Sequence, residues 1–169
     1  MALAVPTEPR GNSRIGDAIE TMRLWLGGKP AAVQVAALPW RRDGADALEI
    51  LLATSRDTGR WVLPKGWPQK GRSLSETAAR EAWEEAGLVG DIGADPLGSF
   101  FYRKVLDNGL RRRVRVQVFP LAVVSIDEDW PEKGQRRFGW FAPQEAARNV
   151  HEPELSGLLL NARLLDRLR

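Results

Sequence analysis

The chain has 169 residues, 43% of them hydrophobic and 28% charged, with a formal net charge of +3, which suits one folded domain. It has no cysteine and one histidine, so disulfides, thiolate chemistry and multi-histidine metal sites are excluded. It also lacks an apolar run of about 18 residues and a basic-then-apolar N-terminal signal, so we expect a cytoplasmic protein without a membrane partner.

The hydrophobic pattern predicts a mixture of helices and strands. Residues 1–12 are rich in small residues and proline and are expected to be flexible, ahead of a single domain over residues 13–169. The predicted helices are 15–26, a helix that Ser73 and Glu76 cap and Gly87 ends, a short helix that Pro143 opens, and 154–168. The predicted strands are 31–38, 48–54, 61–63, 96–104, 113–124 and a last strand that Trp140 and Phe141 close.

Basic residues are concentrated at the start of the strand predicted over residues 113–124. Arg113 and Arg115 alternate there with Val114 and Val116, which places the arginines on the face opposite the valines. An Asp-Asn-Gly turn at residues 107–109 predicts a hairpin with the preceding strand. Such a basic strand is a solvated surface, a wall of a cleft for a polyanionic small molecule or, less favoured, a track for nucleic acid.

Three glutamates lie within two turns of the helix that begins after Ser73. Glu81 lies about 40° from Glu85 and about 60° from Glu84 around a helix, so the three carboxylates can converge. They repel one another unless a cation neutralises them, and magnesium binds a few carboxylates together with water and phosphate oxygens. The alternative is a solvated helix on which Arg80 and Glu84 belong to an i, i+4 charge ladder.

The segment over residues 66–88, GWPQKGRSLSETAAREAWEEAGL, resembles the Nudix box. The matching positions are Gly66, Arg80, Glu81, Glu84, Glu85, Gly87 and Leu88. Arg72 stands where the box has its first glutamate and Ala82 where it has a bulky apolar residue, which leaves open the number of bound metal ions. The resemblance implies an α/β/α sandwich with a mixed β-sheet, a fold that periodicity alone does not select.

The resemblance also implies the reaction, which is hydrolysis of a phosphoanhydride bond in a nucleoside diphosphate derivative or a related compound with Mg²⁺ or Mn²⁺. Glu81 and Glu85 are then the expected metal ligands, and the backbone carbonyl of Gly66 completes the shell. Glu84 is a ligand or the general base, and Arg80 orients the carboxylates by hydrogen bonding.

Residues outside the box resemble the diphosphoinositol polyphosphate and diadenosine polyphosphate phosphohydrolase branch of the family. That branch holds phosphorylated ligands with basic residues of the first strand, of a Ser-Arg element before the box, of the arginine strand and of a basic turn before the last strand. The implied substrate-binding residues are Lys29, Ser55, Arg56, Lys65, Arg113, Arg136 and Arg137. Arginine suits bidentate phosphate contacts, so the expected partner is a polyanionic small molecule.

Two other functions are compatible with the same residues. An RNA 5′-end pyrophosphohydrolase would use the box together with the basic strand as an RNA track. A non-catalytic nucleotide-binding module would keep the fold with a degenerate box, and Arg72 is the feature that favours it. The sequence does not predict the leaving group or the oligomeric state.

Overall fold

The computed structural model describes residues 14–27, 30–106 and 109–168. The helices are α1 (Arg14–Trp25), α2 (Leu74–Ala86), α3 (Pro143–Asn149), α4 (Pro153–Leu159) and α5 (Ala162–Leu165). The strands are β1 (Ala32–Arg42), β2 (Leu48–Thr54), β3 (Trp61–Val62), β4 (Lys65–Gly66), β5 (Leu88–Ile92), β6 (Gly98–Val105), β7 (Arg111–Ile126) and β8 (Phe138–Phe141). The predicted flexible segment 1–12, Lys29 and most of the predicted turn at 107–109 lie outside these residues.

The described strands form one mixed sheet. Strand β1 lies at its centre, parallel to β7 and antiparallel to β2 and β4. Strand β2 continues the sheet to β3 and β8, and the long strand β7 pairs antiparallel with both β5 and β6. The antiparallel β6–β7 pair is the predicted hairpin, and its Arg113 and Arg115 point away from the buried Val114 and Val116.

Alternate residues of β1 enter two different cores, because successive side chains of a strand point to opposite faces. Val35 and Ala37 pack with α2, whose alanines Ala78, Ala82 and Ala86 are fully buried. Ala36 and Leu38 pack with α3, α4 and α5 on the other face. The helical layers on the two faces confirm the predicted α/β/α sandwich.

Local capping signals fix both ends of α2. The Ser73 Oγ accepts a hydrogen bond from the Glu76 backbone N–H at 3.1 Å, and the Glu76 carboxylate accepts one from the Ser73 backbone N–H at 2.7 Å. Gly87 ends the helix in the left-handed conformation, with φ +69°. The predicted caps are confirmed, and they fix the axial position of the glutamates between them.

Helix α1 is attached to the sheet by its acidic side. The Glu20 carboxylate accepts hydrogen bonds from the Arg113 guanidinium and from the backbone N–H of Ala31, both at 2.8 Å. Asp17 Oδ1 lies 3.4 Å from Arg115 Nη2. The apolar Trp25 is 86% exposed, so ion pairs account for the attachment of α1 better than apolar burial does.

The predicted helix over residues 154–168 is wrong as a single element. The structure breaks it into α4 and α5, because the Asn161 side chain accepts from the Leu164 backbone N–H and begins a new helix. The predicted leucines still face the core, and Leu155, Leu164 and Leu168 are buried. The sequence prediction missed β4 and β5.

None of the described helices is long and apolar enough to cross a membrane.

Candidate active site

A cleft of about 450 Å³ opens where α2 meets β4 and the loops that precede β3 and β8. It brings together seven of the predicted site residues, Ser55, Arg56, Lys65, Gly66, Glu81, Glu85 and Arg136. Its walls also include residues that the sequence prediction missed, among them Gln34, Gln69, Tyr102, Lys104 and Glu132. The cleft therefore combines carboxylates of α2 with cations from four other segments of the chain.

The glutamates of α2 divide between two environments. Glu81 and Glu85 line the cleft, and Glu85 is buried, with 7% of its surface exposed. Glu84 is not among the lining residues, and its Oε1 instead accepts a hydrogen bond from Arg80 Nε. The Arg80 guanidinium also lies 4.6 Å from the centre of the Trp83 ring. In this structure Arg80 and Glu84 pair with each other on the flank of α2.

Arg136 holds Glu85 in place through a buried network. Its guanidinium donates to Glu85 Oε1 at 2.9 Å, to Glu132 Oε2 at 2.7 Å and to the Thr54 carbonyl at 3.0 Å, and its side chain is only 8% exposed. The Thr54 N–H donates to the Arg137 carbonyl and the Arg137 N–H donates to the Thr54 hydroxyl, and these two bonds fix the segment before β8 against β2 and so position Arg136. Each of the three guanidinium nitrogens of Arg136 therefore donates to a protein acceptor in this structure, and one of these acceptors is the predicted metal ligand Glu85.

Glu132 is the carboxylate that sequence reasoning missed. Its Oε1 lies 3.1 Å from Arg56 Nη1, and its backbone N–H donates to the Glu84 carbonyl at 3.0 Å, which fastens the β7–β8 loop to α2. Its sequence signal was the four-residue spacing to Arg136. A spacing of this kind is informative only inside a helix, and Glu132 lies in a loop.

Lys65 and Tyr102 form the wall opposite α2. The Lys65 ammonium lies 5.8 Å from the centre of the Tyr102 ring, and the Tyr102 hydroxyl donates to the Gln34 amide oxygen at 2.6 Å. Burial lowers the pKa of Lys65 against the opposing effect of Glu85. Burial, assisted by nearby carboxylates, raises the pKa of Tyr102 to about 12, so the hydroxyl remains a donor at neutral pH.

Trp67 covers one end of the cleft between two cations. The Lys104 ammonium lies 5.4 Å and the Arg112 guanidinium 5.9 Å from the centre of its ring. Lys104 and Arg112 are directly opposite each other in the β6–β7 register. Trp67 is 38% exposed, so its ring and the neighbouring cations would be accessible to a ligand in the cleft.

Two other predicted substrate residues, Arg113 and Arg137, do not line the cleft. Arg113 lies on the opposite face of the hairpin, bonded to Glu20 and stacked at 4.1 Å on the Phe101 ring. Arg137 is exposed, and its backbone N–H donates to the Thr54 hydroxyl. Lys29 lies outside the described residues. Of the predicted substrate residues, the structure thus brings Ser55, Arg56, Lys65 and Arg136 to the cleft, but not Arg113 or Arg137.

The cleft provides hard oxygen donors for a cation. The second carboxylate oxygen of Glu85 is buried and accepts no hydrogen bond in the described part of the chain. Within the same residues, no group of three carboxylate or histidine side chains is placed so that it could hold a metal ion by itself. Magnesium needs only one or two carboxylates when phosphate and water supply the rest. Glu81, Glu85 and the Gly66 carbonyl fit that requirement.

Glycine at position 66 keeps the space that the Glu81 carboxylate occupies. A Cβ built on Gly66 would lie 2.1 Å from the carboxyl carbon of Glu81. A Gly66→Ala variant must therefore displace this carboxylate, and we expect Mn²⁺ affinity, measured by calorimetric titration, to fall by about 10–100-fold. Gly44→Ala is the matched control, because a Cβ there meets nothing within 4 Å. Equal affinities in the two variants would contradict the placement of Glu81 in the metal shell.

Burial also alters the ionisation of the two cleft carboxylates. It raises the pKa of Glu81, and the neighbouring Glu84 adds to the effect. It raises the pKa of Glu85 from 4.5 to about 7, while Arg136 and Lys65 oppose the shift and Glu132 and Glu81 add to it. A bound cation would favour the ionised form of both groups.

The stability of the metal-free protein is expected to fall as the pH rises from about 4.5 to about 7. Over that range the folded state keeps a proton on Glu85 that the unfolded chain has lost, so the unfolded state binds fewer protons and stability decreases with pH. The effect is on the order of 3 kcal/mol. Urea unfolding in EDTA at a series of pH values checks it, with Glu85→Gln as the reference. Parallel profiles for the two proteins would refute the assignment to Glu85.

Comparison with known proteins places this arrangement in a family. The NUDIX domain model matches residues 30–161. The chain is 31% identical over 125 residues to bovine diphosphoinositol polyphosphate phosphohydrolase 3-beta, a match that covers 71% of each chain. It is 33% identical over 107 residues to mitochondrial Nudix hydrolase 12 of Arabidopsis thaliana, which covers 62% of this chain but only 53% of the plant protein.

Solved structures show the same fold. A Caenorhabditis elegans Ap4A hydrolase superimposes with a TM-score of 0.57 at 20% identity, covering 81% of this chain and 97% of that one. The MutT protein of Methanosarcina mazei superimposes with a TM-score of 0.58 at 23% identity, covering 82% and 96%. From the domain match, from the glutamates, glycines and arginine of the box and from the sandwich that holds them, the chain belongs to the NUDIX domain family.

Proposed function

We infer that this protein is a metal-dependent hydrolase of phosphoanhydride bonds, and we propose that its substrate is a highly phosphorylated small molecule. The observation that carries the proposal is the cleft, in which the carboxylates of Glu81 and Glu85 face the cations of Arg56, Lys65 and Lys104. The names of two similar proteins, the bovine diphosphoinositol polyphosphate phosphohydrolase and the worm Ap4A hydrolase, support this substrate class.

The chemistry of the reaction explains why both kinds of charge are needed. A phosphoanhydride repels nucleophiles, so its oxygens must be neutralised, a water placed in line and a proton removed. A bound Mg²⁺ or Mn²⁺, held by Glu81, Glu85 and the Gly66 carbonyl, would neutralise phosphate oxygens and acidify the attacking water. Arg136 would keep the Glu85 carboxylate oriented toward the cation.

Arg80 and Glu84 are proposed to assist from the flank of α2. Their side chains are paired in this structure, so Glu84 would act as ligand or base only after it separates from Arg80. The matching test is Glu84→Gln, for which we propose a loss of turnover larger than the loss of metal affinity.

We also propose that the protein is located in the cytoplasm.

The substrate would be held by the cations of the cleft. The Arg56 side chain is 54% exposed and forms an ion pair with Glu132. Its remaining N–H groups can donate to a phosphate. Lys65 and Ser55 also line the cleft. Arg137 and Arg113 are proposed to act at a greater distance, through the positive field rather than by direct contact with the reacting phosphates.

A screen of phosphoanhydrides with Mg²⁺, scored by phosphate release, tests the function. Arg56→Ala is expected to raise KM for dinucleoside polyphosphates and diphosphoinositol polyphosphates by about tenfold, equivalent to about 1.4 kcal/mol, because long phosphate chains need the extra cation. ADP-ribose hydrolysis should change less. Arg60→Ala is the control, since Arg60 is exposed and does not line the cleft.

Other results would redirect the proposal. A uniform effect of Arg56→Ala on all substrates would favour a general nucleoside diphosphate hydrolase. Selective release of pyrophosphate from triphosphorylated RNA, with steep salt dependence, would favour the RNA 5′-end enzyme. Nucleotide binding without turnover of any substrate would favour the non-catalytic module.

A further inference from the structure

A second cavity lies on the other side of the β6–β7 hairpin, between the hairpin and α1. Its volume is about 560 Å³. Four arginines line it, Arg23, Arg103, Arg111 and Arg113, and Ile19 and Phe101 contribute apolar wall. We call this cavity the arginine groove.

The β6–β7 hairpin lies between the arginine groove and the catalytic cleft. Side chains alternate between faces along β6 and β7, and Tyr102 pairs with Val114, which belongs to the core under α3 and α4. Arg103 and Arg113 pair with each other one position along and therefore point to the opposite face, where α1 lies. Tyr102, on the edge strand β6, lines both cavities.

Among the described residues, the positive charge of the groove is only partly neutralised. Arg103 is directly opposite Arg113 in the hairpin, an arrangement of like charges that destabilises a sheet. Glu20 is bonded to Arg113 at 2.8 Å and lies 3.9 Å from Arg23, so one carboxylate serves two arginines. Among the residues that the structure describes, no carboxylate forms an ion pair with Arg103 or Arg111.

The remaining positive charge and the half-open shape of the groove favour a compact anionic ligand. Guanidinium forks match phosphate oxygens in bidentate contacts, and Arg113 is held on the Phe101 ring at 4.1 Å, so part of the site is rigid before a ligand arrives. Helix α1 closes one side, which limits the groove to a compact ligand rather than a continuous strand of nucleic acid.

We propose that the arginine groove is a second binding site, for a small molecule that carries several phosphate groups, and that it binds this ligand without a metal ion. The family resemblance assigned Arg113 to the hydrolysed substrate, whereas the structure places it in this separate groove. The proposal does not require hydrolysis, because it rests on the cavity, the charges and the alternation of the hairpin alone.

Calorimetric titration with inorganic tripolyphosphate in EDTA tests the proposal. The wild-type protein is expected to bind one equivalent in the groove and a second in the cleft. Three double variants each remove two positive charges from a different place. They are Arg103→Ala/Arg111→Ala in the groove, Arg56→Ala/Lys104→Ala in the cleft and Arg148→Ala/Arg163→Ala on exposed positions of α3 and α5.

The groove variant is expected to lose one equivalent, with affinity at that site at least tenfold weaker, and the cleft variant to lose the other. The α3/α5 variant should keep both. In thermal unfolding, tripolyphosphate should raise the Tm of the cleft variant but not that of a protein lacking both groove and cleft cations, which also verifies that the variants fold.

Two outcomes would overturn the proposal. One is a groove variant with the stoichiometry and affinities of the wild type. The other is an equal loss in the groove and α3/α5 variants, which would show that net charge alone controls binding. If no phosphoanhydride is hydrolysed but the groove variant still loses one equivalent, the proposed enzymatic function fails and the second site stands.

Discussion

Replacement of Glu85 by glutamine is expected to reduce metal-dependent phosphoanhydride hydrolysis by at least about 100-fold in kcat/KM. Loss of a hydrogen-bonding partner behind a metal ligand typically costs 10–100-fold, and loss of the ligand charge itself should cost no less than the upper end of that range. Glutamine keeps the shape of the side chain and an acceptor for Arg136, so the fold should be preserved. Phosphate release at saturating Mg²⁺, with Mn²⁺ titration in parallel, gives the measurement.

Glu145→Gln provides the control, because it removes the same charge from an exposed position of α3. It should leave both rate and metal affinity unchanged. Glu85→Gln activity within a few-fold of the wild type at saturating metal would remove Glu85 from the ligand set and would leave its burial unexplained by catalysis.

Replacement of Arg136 by alanine is expected to lower the free energy of unfolding of the metal-free protein by about 3–5 kcal/mol. The Arg136 side chain is only 8% exposed, so its removal leaves the carboxylates of Glu85 and Glu132 without their cation in a buried site. It also leaves the Thr54 carbonyl without its donor. Breaking a buried pair from one side typically costs this much. Urea unfolding at pH 7.5 in EDTA measures the loss.

Two further variants show whether the network is the cause. Arg137→Ala removes the neighbouring charge from an exposed side chain while its backbone bonds to Thr54 remain, so it should cost little. Combining Arg136→Ala with Glu85→Gln should cost less than the sum of the single changes, by about 0.5–3 kcal/mol, because the uncompensated charge is removed as well. Equal losses in Arg136→Ala and Arg137→Ala would contradict a buried network.

Sequence reasoning succeeded where the structural signal is local. Strand β2 was predicted over the residues that it occupies, and α2 was delimited by Ser73 and Gly87, because a capping box and a left-handed glycine act within a few residues of the helix ends. The C-terminal helix was predicted as one element because its leucine period continues across Asn161. A periodic pattern records which side chains are buried but not where the backbone breaks.

The site shows the same division between local and distant information. Gly66, Glu81 and Glu85 follow from the spacing of one segment, and the structure brings them into one cleft. The partner of Arg136 did not follow, because the contact with Glu85 depends on how β8 pairs with β2. Helical angles likewise allowed Glu84 to join the other carboxylates, but they contain no information about the competing pair with Arg80.

The loop between β7 and β8 is attached to the structure at both ends, and this limits how its length can change. The backbone N–H of Asp127 donates to the Gly87 carbonyl and that of Glu132 to the Glu84 carbonyl, so the loop is tied to the end of α2. Four residues after Glu132, Arg136 must reach Glu85. A residue inserted or deleted between these attachments would shift the arginine along the register of β8 and away from the carboxylate. Among relatives with the same catalytic arrangement, gaps should therefore fall elsewhere, as in the exposed turn at residues 43–46, where no side chain of the cleft depends on the length of the chain.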